Sequence, residues 1–411
     1  MNGTVSLPAT APKRILLISN GHGEDLSGSL LGQELLASGG EVAALPLVGH
    51  GNAYRQAGVP VLGRTRTYST GGLGYTSLAG RLTELFQGQV TYVIRRLLLF
   101  LTQSRRFDLV VVIGDVLPVL AAWLSCRPVV TYLVAYSSHY EGRLRLPWPC
   151  GWCLRSARFQ RVYSRDSLTA TDLTAQLGRP VHFLGNPFLD RALEPAPPLQ
   201  PLEPHRSTGA RLLGLLPGSR LPEALRNLEL MLKVLVRLPP SWQQRQRLEL
   251  VAALVKDLQR ELVAQCAAPL GWTLQGDRLE RGPLVLHLVW GGFAAVVQQS
   301  DLLLSMTGTA AEQAVGLGKP VLQLVGQGPQ FTVSFAEAQR RLLGPSLACS
   351  DGEPGSNASL AGTAALATGL LTALSDPAFA ERCRRNGLER IGGPGGAARM
   401  VREIHAVLSD V

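Results

Sequence analysis

Lysine, charge of either sign and long apolar runs are all scarce in this sequence of 411 residues. Among its 40 basic residues only four are lysines, so arginine carries most of the positive charge behind the net +10. Charged residues make up 17% of the chain and hydrophobic residues 46%, a balance that excludes intrinsic disorder. The four lysines are Lys13, Lys233, Lys256 and Lys319.

Cysteine is also rare, with six residues in the whole chain. Together with the lack of a charged and then apolar leader in residues 1–14, this predicts a reducing, cytoplasmic location. Cys150 and Cys153 form a single Cys-x-x-Cys pair with no second Cys or His pair nearby. Incidental cysteines are therefore favoured over a zinc site or a redox dithiol.

No apolar stretch is suited to crossing a bilayer, which takes about 20 apolar residues. Residues 283–300 lack Asp, Glu, Lys and Arg, but Gly291 and Gly292 divide them into a strand-like half and a helix-like half. Residues 361–375 are too short and rich in threonine. We therefore predict no transmembrane helix.

Three common nucleotide or hydrolase motifs are missing. The first glycine turn has Leu26 where a dinucleotide fingerprint requires its third glycine, so NAD binding is disfavoured. Gly318-Lys319 is followed by Pro320, which excludes a Walker A loop, and no Gly-x-Ser-x-Gly elbow occurs.

Unbroken apolar runs followed by helical patterns are what the sequence does contain, and these are typical of buried parallel strands. The runs lie at residues 14–19, 108–113, 127–135, 211–216, 248–254, 284–289 and 301–305. Five prolines in residues 194–204 predict an extended linker between them. We therefore predict two Rossmann-like, doubly wound α/β domains facing across a cleft: residues 1–193, a linker at 194–208, a second domain at 209–390 and a final helix at 391–411.

Glycine turns follow three of the predicted strands. The first, with Gly21, Gly23, Glu24 and Asp25, opens a helix, so it is either an ordinary turn or a loop that lets an acceptor or phosphate approach the backbone. The second, residues 216–220, places Gly218, Ser219 and Arg220 after a strand. Arg220 is either a phosphate ligand or an exposed turn arginine.

The third turn is Thr307-Gly308-Thr309, at the predicted start of a helix that contains Glu312. Backbone N–H groups at such a terminus favour a phosphate. Glu312 allows two interpretations. It completes a capping box with Thr309 as N-cap, or it faces the cleft and accepts hydrogen bonds from the two ribose hydroxyls of a nucleotide.

The second and third turns, in this order, resemble the donor domain of GT-B glycosyltransferases, and above all the lipid-A-disaccharide synthases and their related proteins. Residues 216–220 match without change, and residues 305–312 and 318–320 match well. His22 and Glu24 depart from the family's first loop, and Asn186 replaces its usual histidine, so the acceptor is left open. Further similarity lies at residues 21–28, 114–115, 185–190 and 337–339.

The resemblance implies metal-independent transfer of a hexosyl group, of the N-acetylglucosamine type, from a UDP-sugar to a lipid-linked or membrane-associated acceptor, without a resident cofactor. Glu312 would hold the ribose, Gly308 and Thr309 the pyrophosphate, and Arg220 the charge of the departing UDP. Gln339 or Glu337 would contact the donor sugar or nucleotide. The predicted donor-binding residues are Gly218, Ser219, Arg220, Thr307, Gly308, Thr309, Glu312, Glu337 and Gln339.

An acceptor hydroxyl must lose its proton in such a transfer, and two residues of the first domain are candidates for the base. His22 has a pKa suited to neutral pH, and Asp115 follows a strand. The sequence leaves both open. It also leaves open two other functions, a UDP-sugar 2-epimerase and a catalytically silent scaffold that binds a nucleotide-sugar or a lipid.

Arginine and tryptophan alternate in residues 143–165, which contain no acidic residue before Asp166. This pattern favours contact with an anionic membrane surface, at the cytoplasmic face, and residues 93–106 carry a similar basic and apolar pattern. The alternative is a core helix with a solvated basic face. Nucleic acid is not expected as a partner, because no aromatic-rich binding module is present.

Overall fold

The computed structural model describes residues 13–65, 89–199, 209–327 and 332–410, apart from the side chains of His22, Gln89, Val90 and Glu141. These residues form two compact units. Described residues within Met1–Ser138, Arg143–Phe188 and Gly395–Val411 belong to the first unit, and those within His139–Gly142 and Leu189–Pro394 to the second. The end of the chain therefore returns to the first unit.

The first unit is built around a parallel sheet of six strands in the order β2-β1-β3-β4-β5-β6. The elements from the start of the description to the second unit are β1 (Arg14–Ser19), α1 (His22–Ala37), β2 (Glu41–Pro46), α2 (Asn52–Gln56), α3 (Gln89–Gln103), β3 (Leu109–Ile113), α4 (Val116–Leu124), β4 (Val129–Leu133), α5 (Ser138–Glu141), α6 (Cys150–Leu154), β5 (Phe159–Ser164), α7 (Ser167–Leu177), β6 (His182–Phe183) and α8 (Pro187–Leu193).

The second unit contains a sheet of eight strands in the order β14-β13-β12-β7-β8-β11-β10-β9, which is parallel except at β10 and β9. Its elements, and the final helix of the chain, are β7 (Arg211–Leu216), α9 (Glu223–Leu235), β8 (Leu248–Leu254), α10 (Arg260–Ala267), β9 (Thr273–Gln275), β10 (Arg278–Arg281), β11 (Leu284–Trp290), α11 (Phe293–Gln299), β12 (Leu302–Ser305), α12 (Thr309–Gly316), β13 (Val321–Gln323), α13 (Val333–Leu343), β14 (Leu347–Cys349), α14 (Asn357–Ala373), α15 (Pro377–Arg390) and α16 (Gly396–Asp410).

Both sheets have their central strands buried on both faces. Every residue of β3 and of β8 is buried, which explains why these strands appear in the sequence as continuous apolar runs. Each sheet also has one place where the chain reverses its direction of winding. This switch point lies between β1 and β3 in the first unit and between β7 and β12 in the second. Open α/β sheets bind ligands at the carboxyl ends of the strands beside such a point.

The described part of the proline-rich segment, residues 194–199, lies against α11 of the second unit. The backbone N–H of Ala196 donates to Gln298 Oε1 at 3.0 Å, and that of Leu199 donates to Gln299 Oε1 at 3.1 Å. Residues 200–208 of the predicted linker lie outside the described residues.

Helix α16 packs on α1 of the first unit. Arg399 Nε donates to the carbonyl oxygen of Leu184 at 2.7 Å, and His405 and Ser38 are hydrogen-bonded at 2.8 Å. Among the described residues, no single helix has both the length and the apolar character needed to cross a bilayer. Helices α14 and α15 meet both criteria only when they are taken together, and the chain bends by 105° between these two helices.

Candidate functional site

Asn20 joins the two strands at the switch point of the first unit. It directly follows β1, and its side-chain Nδ2 donates to Oδ2 of Asp115, which follows β3, at 3.0 Å. Its backbone N–H donates to Oε2 of Glu24 at 2.6 Å. One asparagine therefore holds two carboxyl groups at the carboxyl ends of neighbouring parallel strands. Sequence reasoning named both acids but missed Asn20, whose place directly after a buried strand was the available signal.

Glu24 lies in a space that only glycine at position 114 leaves open. A Cβ at Gly114 would lie 2.6 Å from Glu24 Oε2, and Gly114 has a φ of 147°. Burial, and next the negative charge of Asp115, raise the pKa of Glu24 well above its ordinary value. The hydrogen bond from Asn20 opposes this effect only in part. Glu24 therefore keeps its proton to a higher pH in the folded protein than an ordinary glutamate does.

A second hydrogen-bonded chain lies behind the loop. Ser19 Oγ donates to Asp25 Oδ1 at 2.6 Å, and Tyr54 Oη donates to Ser19 Oγ at 2.9 Å. Asp25 and Tyr54 are both buried, and burial raises the pKa of Asp25 to about 7. The ring of Tyr54 occupies the space beside Gly28, where a Cβ would overlap its hydroxyl. Nothing in the sequence around Tyr54 predicted this contact.

The start of α4 is already occupied by the protein's own groups. Asp115 is its N-cap, with Oδ1 accepting from the N–H of Leu117 at 3.0 Å, and Tyr136 Oη accepts from the N–H of Val116 at 3.0 Å. Helix α1 differs, because its N-cap is Gly21, which has no side chain to cap the helix, and Gly23 is exposed. The side chain of His22, one of the two predicted bases, lies outside the described residues.

In the second unit, the turns after β7 and β12 lie side by side, although they are far apart in the sequence. The N–H of Met306 donates to the carbonyl oxygen of Leu216 at 3.0 Å. A Cβ at Gly218 would lie 3.6 Å from the carbonyl oxygen of Met306 and 3.9 Å from Cγ2 of Thr307. Asn227 of α9 fixes the first turn, because its Nδ2 donates to the carbonyl oxygen of Pro217 at 2.8 Å.

Helix α12 begins beside this junction with an N-cap that carries no side chain. The N-cap is Gly308, and the N–H groups of Ala311 and Glu312 bond to its carbonyl oxygen. The capping-box interpretation with Thr309 as N-cap is wrong, because Thr309 is already the first helical residue. The hydroxyls of Ser305 and Thr307 are hydrogen-bonded to each other at 2.7 Å. A helix start without a side-chain cap leaves backbone N–H groups that can bind an anion.

Two of the predicted donor residues in this region are charged: Glu312 lies in the first turn of α12, and Arg220 follows the Gly218 turn. Glu312 is buried, with 8% of its surface exposed. Arg220 is half-buried, Ser219 before it is exposed, and none of the hydrogen bonds in the described part of the chain involves the Arg220 guanidinium. Burial lowers the pKa of Arg220 from its usual value. A bound anion would offset the desolvation of this cation.

Helix α13 carries the two other predicted donor residues on different faces. A Cβ at Gly308 would lie 3.6 Å from Cζ of Phe335, and Gln339 lies four residues after Phe335 on the same face. Gln339 is buried, and its Oε1 accepts no hydrogen bond from the residues that the structure describes. Glu337 instead forms ion pairs with Arg340 at 2.7 Å and Arg341 at 2.9 Å. These hydrogen bonds lower the pKa of Glu337 to about 2.

Two further features lie apart from these turns. A cavity of about 340 Å³ is lined by Lys256, Leu258, Gln259, Arg260, Glu261 and Trp290, near the carboxyl ends of β8 and β11, and none of the predicted site residues lines it. Within the described ranges, no group of three or more His, Cys, Asp or Glu side chains is placed to hold a metal ion.

The basic segment at residues 143–165 divides into an inner and an outer part. Arg158 donates to the carbonyl oxygen of Trp123 at 2.6 Å, Arg161 pairs with Glu403, and Arg165 is buried. These three arginines therefore contact or lie buried among other parts of the protein. The outer part consists of Arg143, Arg145, Trp148, Trp152 and Arg155, all of them exposed, with Trp148 at 90%.

Helix α3 shows a similar division. Arg96 is buried and donates to the carbonyl oxygens of Pro46 and Leu62. Arg95 is exposed, and so are the apolar side chains of Ile94 and Leu98.

No protein-family model matches this sequence, and the comparison with curated proteins gives no match. Solved structures match over nearly the whole chain. A putative UDP-N-acetylglucosamine 2-epimerase from Listeria monocytogenes has a TM-score of 0.58 and 15% identity, with 98% of each chain covered. The S. aureus protein MnaA, solved with UDP, has a TM-score of 0.58 and 14% identity over 97% of this chain and 98% of that one.

A calicheamicin glycosyltransferase matches equally broadly, with a TM-score of 0.57 and 17% identity over 97% of this chain and 99% of that one. At these identities the similarity concerns the fold. The prediction of two Rossmann-like α/β domains of the GT-B type is confirmed.

Proposed function

We propose that this protein transfers a hexosyl group, of the N-acetylglucosamine type, from a UDP-sugar to a hydroxyl of a lipid-linked or membrane-associated acceptor. The observation that carries the proposal is the contact between the Gly218 turn and the Thr307 turn at the switch point of the second sheet. The sequence resemblance to lipid-A-disaccharide synthases and the UDP-bound structural neighbour support it.

The donor would be held by the second unit, without a resident cofactor or metal. The backbone N–H groups at the start of α12 would bind the diphosphate, and Arg220 would neutralise the charge that grows on UDP as it leaves. Glu312 would accept hydrogen bonds from the ribose hydroxyls. The buried and unpartnered Oε1 of Gln339 makes this residue a better contact for the donor sugar than Glu337, which is tied to two arginines.

The first unit would bind the acceptor and accept its proton. Asn20, Glu24 and Asp115 gather at the carboxyl ends of β1 and β3, which is where a ligand of an open α/β sheet is expected. Asp115 and His22 are the bases that the sequence favours. A carboxylate or imidazole there would take the proton as the acceptor oxygen attacks the anomeric carbon.

The same unit would meet the acceptor at a membrane, in a cytoplasmic protein that associates with the membrane peripherally. The exposed Trp148 and Trp152 stand beside the exposed Arg143, Arg145 and Arg155. Tryptophan favours the interfacial region of a bilayer, and arginine favours anionic headgroups.

Calorimetric titration of UDP, with ADP and GDP as controls, tests the donor site. We expect micromolar binding of UDP by the wild type and its loss in Glu312→Ala. Glu381→Ala, on the surface of α15, is the matched control and should bind as the wild type does. Equal binding of the three nucleotides, or none to folded wild-type protein, would contradict the proposal.

A UDP-sugar 2-epimerase is the second candidate, because such enzymes are among the structural neighbours. The two reactions differ in their need for an acceptor. Incubation with UDP-N-acetylglucosamine alone would give an epimer of the donor in one case and no epimer in the other. A protein that binds UDP but changes no donor with any acceptor would instead be a nucleotide-sugar or lipid-binding scaffold.

A further inference from the structure

Each carboxyl oxygen of Asp115 accepts a hydrogen bond from within the protein. Its Oδ1 accepts from the N–H of Leu117 and its Oδ2 from Nδ2 of Asn20, each at 3.0 Å. These two hydrogen bonds hold the carboxyl group of Asp115 in one orientation at the start of α4.

Glu24 is arranged in the opposite way. Its Oε2 accepts one hydrogen bond, from the N–H of Asn20, whereas no hydrogen bond reaches Oε1 from any residue that the structure describes. The carboxyl group lies in the space that the missing side chain at Gly114 leaves open. One oxygen is thus anchored and the other is left for a ligand at the ends of β1 and β3.

The groups that act on Glu24 all increase its affinity for a proton, apart from the Asn20 hydrogen bond. Asp115 faces it from the start of α4 and Asp25 from its own helix, and both are acids. Tyr54 of α2 and Tyr136 after β4 complete the titratable groups that interact with it in the described part of the chain. None of these groups is a cation, so the carboxylate of Glu24 is a stronger base than an ordinary glutamate.

We propose that Glu24 is the catalytic base of the transfer reaction and that Asp115, which Asn20 joins to it, is a positioning residue. This inference rests on the proposed function. The acceptor O–H bond breaks, its proton goes to Glu24, and the oxygen's electron pair forms the bond to the anomeric carbon. The bond from that carbon to the diphosphate oxygen breaks, and its electron pair leaves with UDP. Glu24 then returns the proton to solvent.

The first test needs no substrate. In protein labelled with ¹³C at the glutamate carboxyl carbons, the Glu24 signal is assigned by its absence in Glu24→Gln and followed as a function of pH. We expect its midpoint to lie well above that of the exposed glutamates and to fall by about one pH unit in Asp115→Asn, because a like charge is removed. A midpoint in the ordinary range for glutamate overturns the proposal.

The second test follows UDP release from UDP-N-acetylglucosamine, with water and with octyl glucoside as acceptors. Glu24→Gln keeps the shape of the protonated residue, so it should fold and bind UDP while its turnover falls by about 10²- to 10⁴-fold. Asp115→Asn should stay within about tenfold of the wild type, with the rising limb of its pH profile moved to lower pH.

The outcomes separate this inference from the proposed function. Glu24→Gln with more than a tenth of the wild-type turnover, or Asp115→Asn with a loss as large as that of Glu24→Gln, overturns the assignment and leaves the transferase in place. A folded wild type that neither binds UDP nor releases it overturns the proposed function. In that case the carboxyl titration still measures whether burial and the neighbouring Asp115 raise the pKa of Glu24.

Discussion

Gly114 is the residue that makes room for Glu24. A Cβ at position 114 would lie 2.8 Å from Cδ of the Glu24 carboxyl and 2.6 Å from its Oε2. The loop after β3 and the first turn of α1 therefore fit together only while position 114 carries no side chain. The positive φ of Gly114 adds a second reason for glycine, because other residues rarely adopt it.

Gly114→Ala should destabilise the protein by about 1–3 kcal/mol, since it adds backbone strain and displaces a buried carboxyl group. Gly21→Ala is the matched control, because position 21 is extended and has no atom within 4 Å of a Cβ. Its cost should stay below about 1 kcal/mol, as expected for the loss of a glycine N-cap. Urea unfolding of both variants measures the difference, and equal costs would contradict the fit of Gly114 to Glu24.

The stability of the protein should fall as the pH rises from about 4 to about 7. Burial raises the pKa of Asp25 to about 7, so the folded state holds this proton where the unfolded chain has already released it. The stabilisation from Asp25 is complete at any pH below the pKa that Asp25 has in the unfolded chain. It is lost as the pH rises through the pKa of Asp25 in the folded state, and the total loss in the free energy of unfolding is at most about 4 kcal/mol.

Asp25→Asn should flatten this part of the stability profile, because asparagine cannot ionise and still accepts the hydrogen bond from Ser19. Asp277→Asn, at an exposed ion pair with Arg260, is the control and should leave the slope unchanged. Urea midpoints at several pH values test the prediction, and equal slopes in wild type and Asp25→Asn would refute it.

Arg220→Ala should weaken UDP binding by about 10- to 100-fold and leave uridine binding unchanged, since its role is to meet the phosphate charge. Its half-buried guanidinium is engaged in no hydrogen bond in the described chain, so folding stability should change little. Arg226→Ala, which loses only a pair with Glu223, is the control. An equal loss of uridine and UDP affinity would exclude a phosphate role for Arg220.

The double variant Trp148→Ser and Trp152→Ser should bind less to vesicles that contain phosphatidylglycerol. The change at Trp148 should affect folding only slightly, because this side chain is exposed. Leu388→Ser, at an exposed apolar residue of α15, is the control. Cosedimentation at low and high salt measures both contributions, because salt screens the arginines but not the tryptophans. Equal sedimentation of wild type and double variant would contradict the membrane contact.

The sequence predicted seven of the fourteen strands that the structure describes, and the glycine turns after three of them. It did not predict how the side chains meet. Continuous runs such as that of β3 indicate a buried parallel strand, and glycine after the strand indicates the turn. The capping box at Thr309 failed because helix starts differ by one residue without any change in the pattern. Asn20 and Tyr54 were missed because their partners lie far along the chain or on another element.

The sequence predicted candidate site residues by their type and position, but not the contacts that they make. Arg158, Arg161 and Arg165 have the same sequence pattern as the exposed arginines near them, and only packing separates the two sets. Glu24 and Asp115 are both acids after a strand. Their different hydrogen bonds depend on contacts between β1, α1 and α4 that no local sequence pattern predicts.

The position of helix α16 in the sequence affects when the first unit can finish folding. It packs on α1, and a Cβ at Gly396 would lie 2.8 Å from the backbone of Gly185, so the first unit is finished by residues translated after the whole second unit. A nascent chain that has reached residue 394 carries all of the second unit, while the face of α1 that α16 covers is still bare. The first unit therefore cannot complete its fold before residues 395–410 have been added.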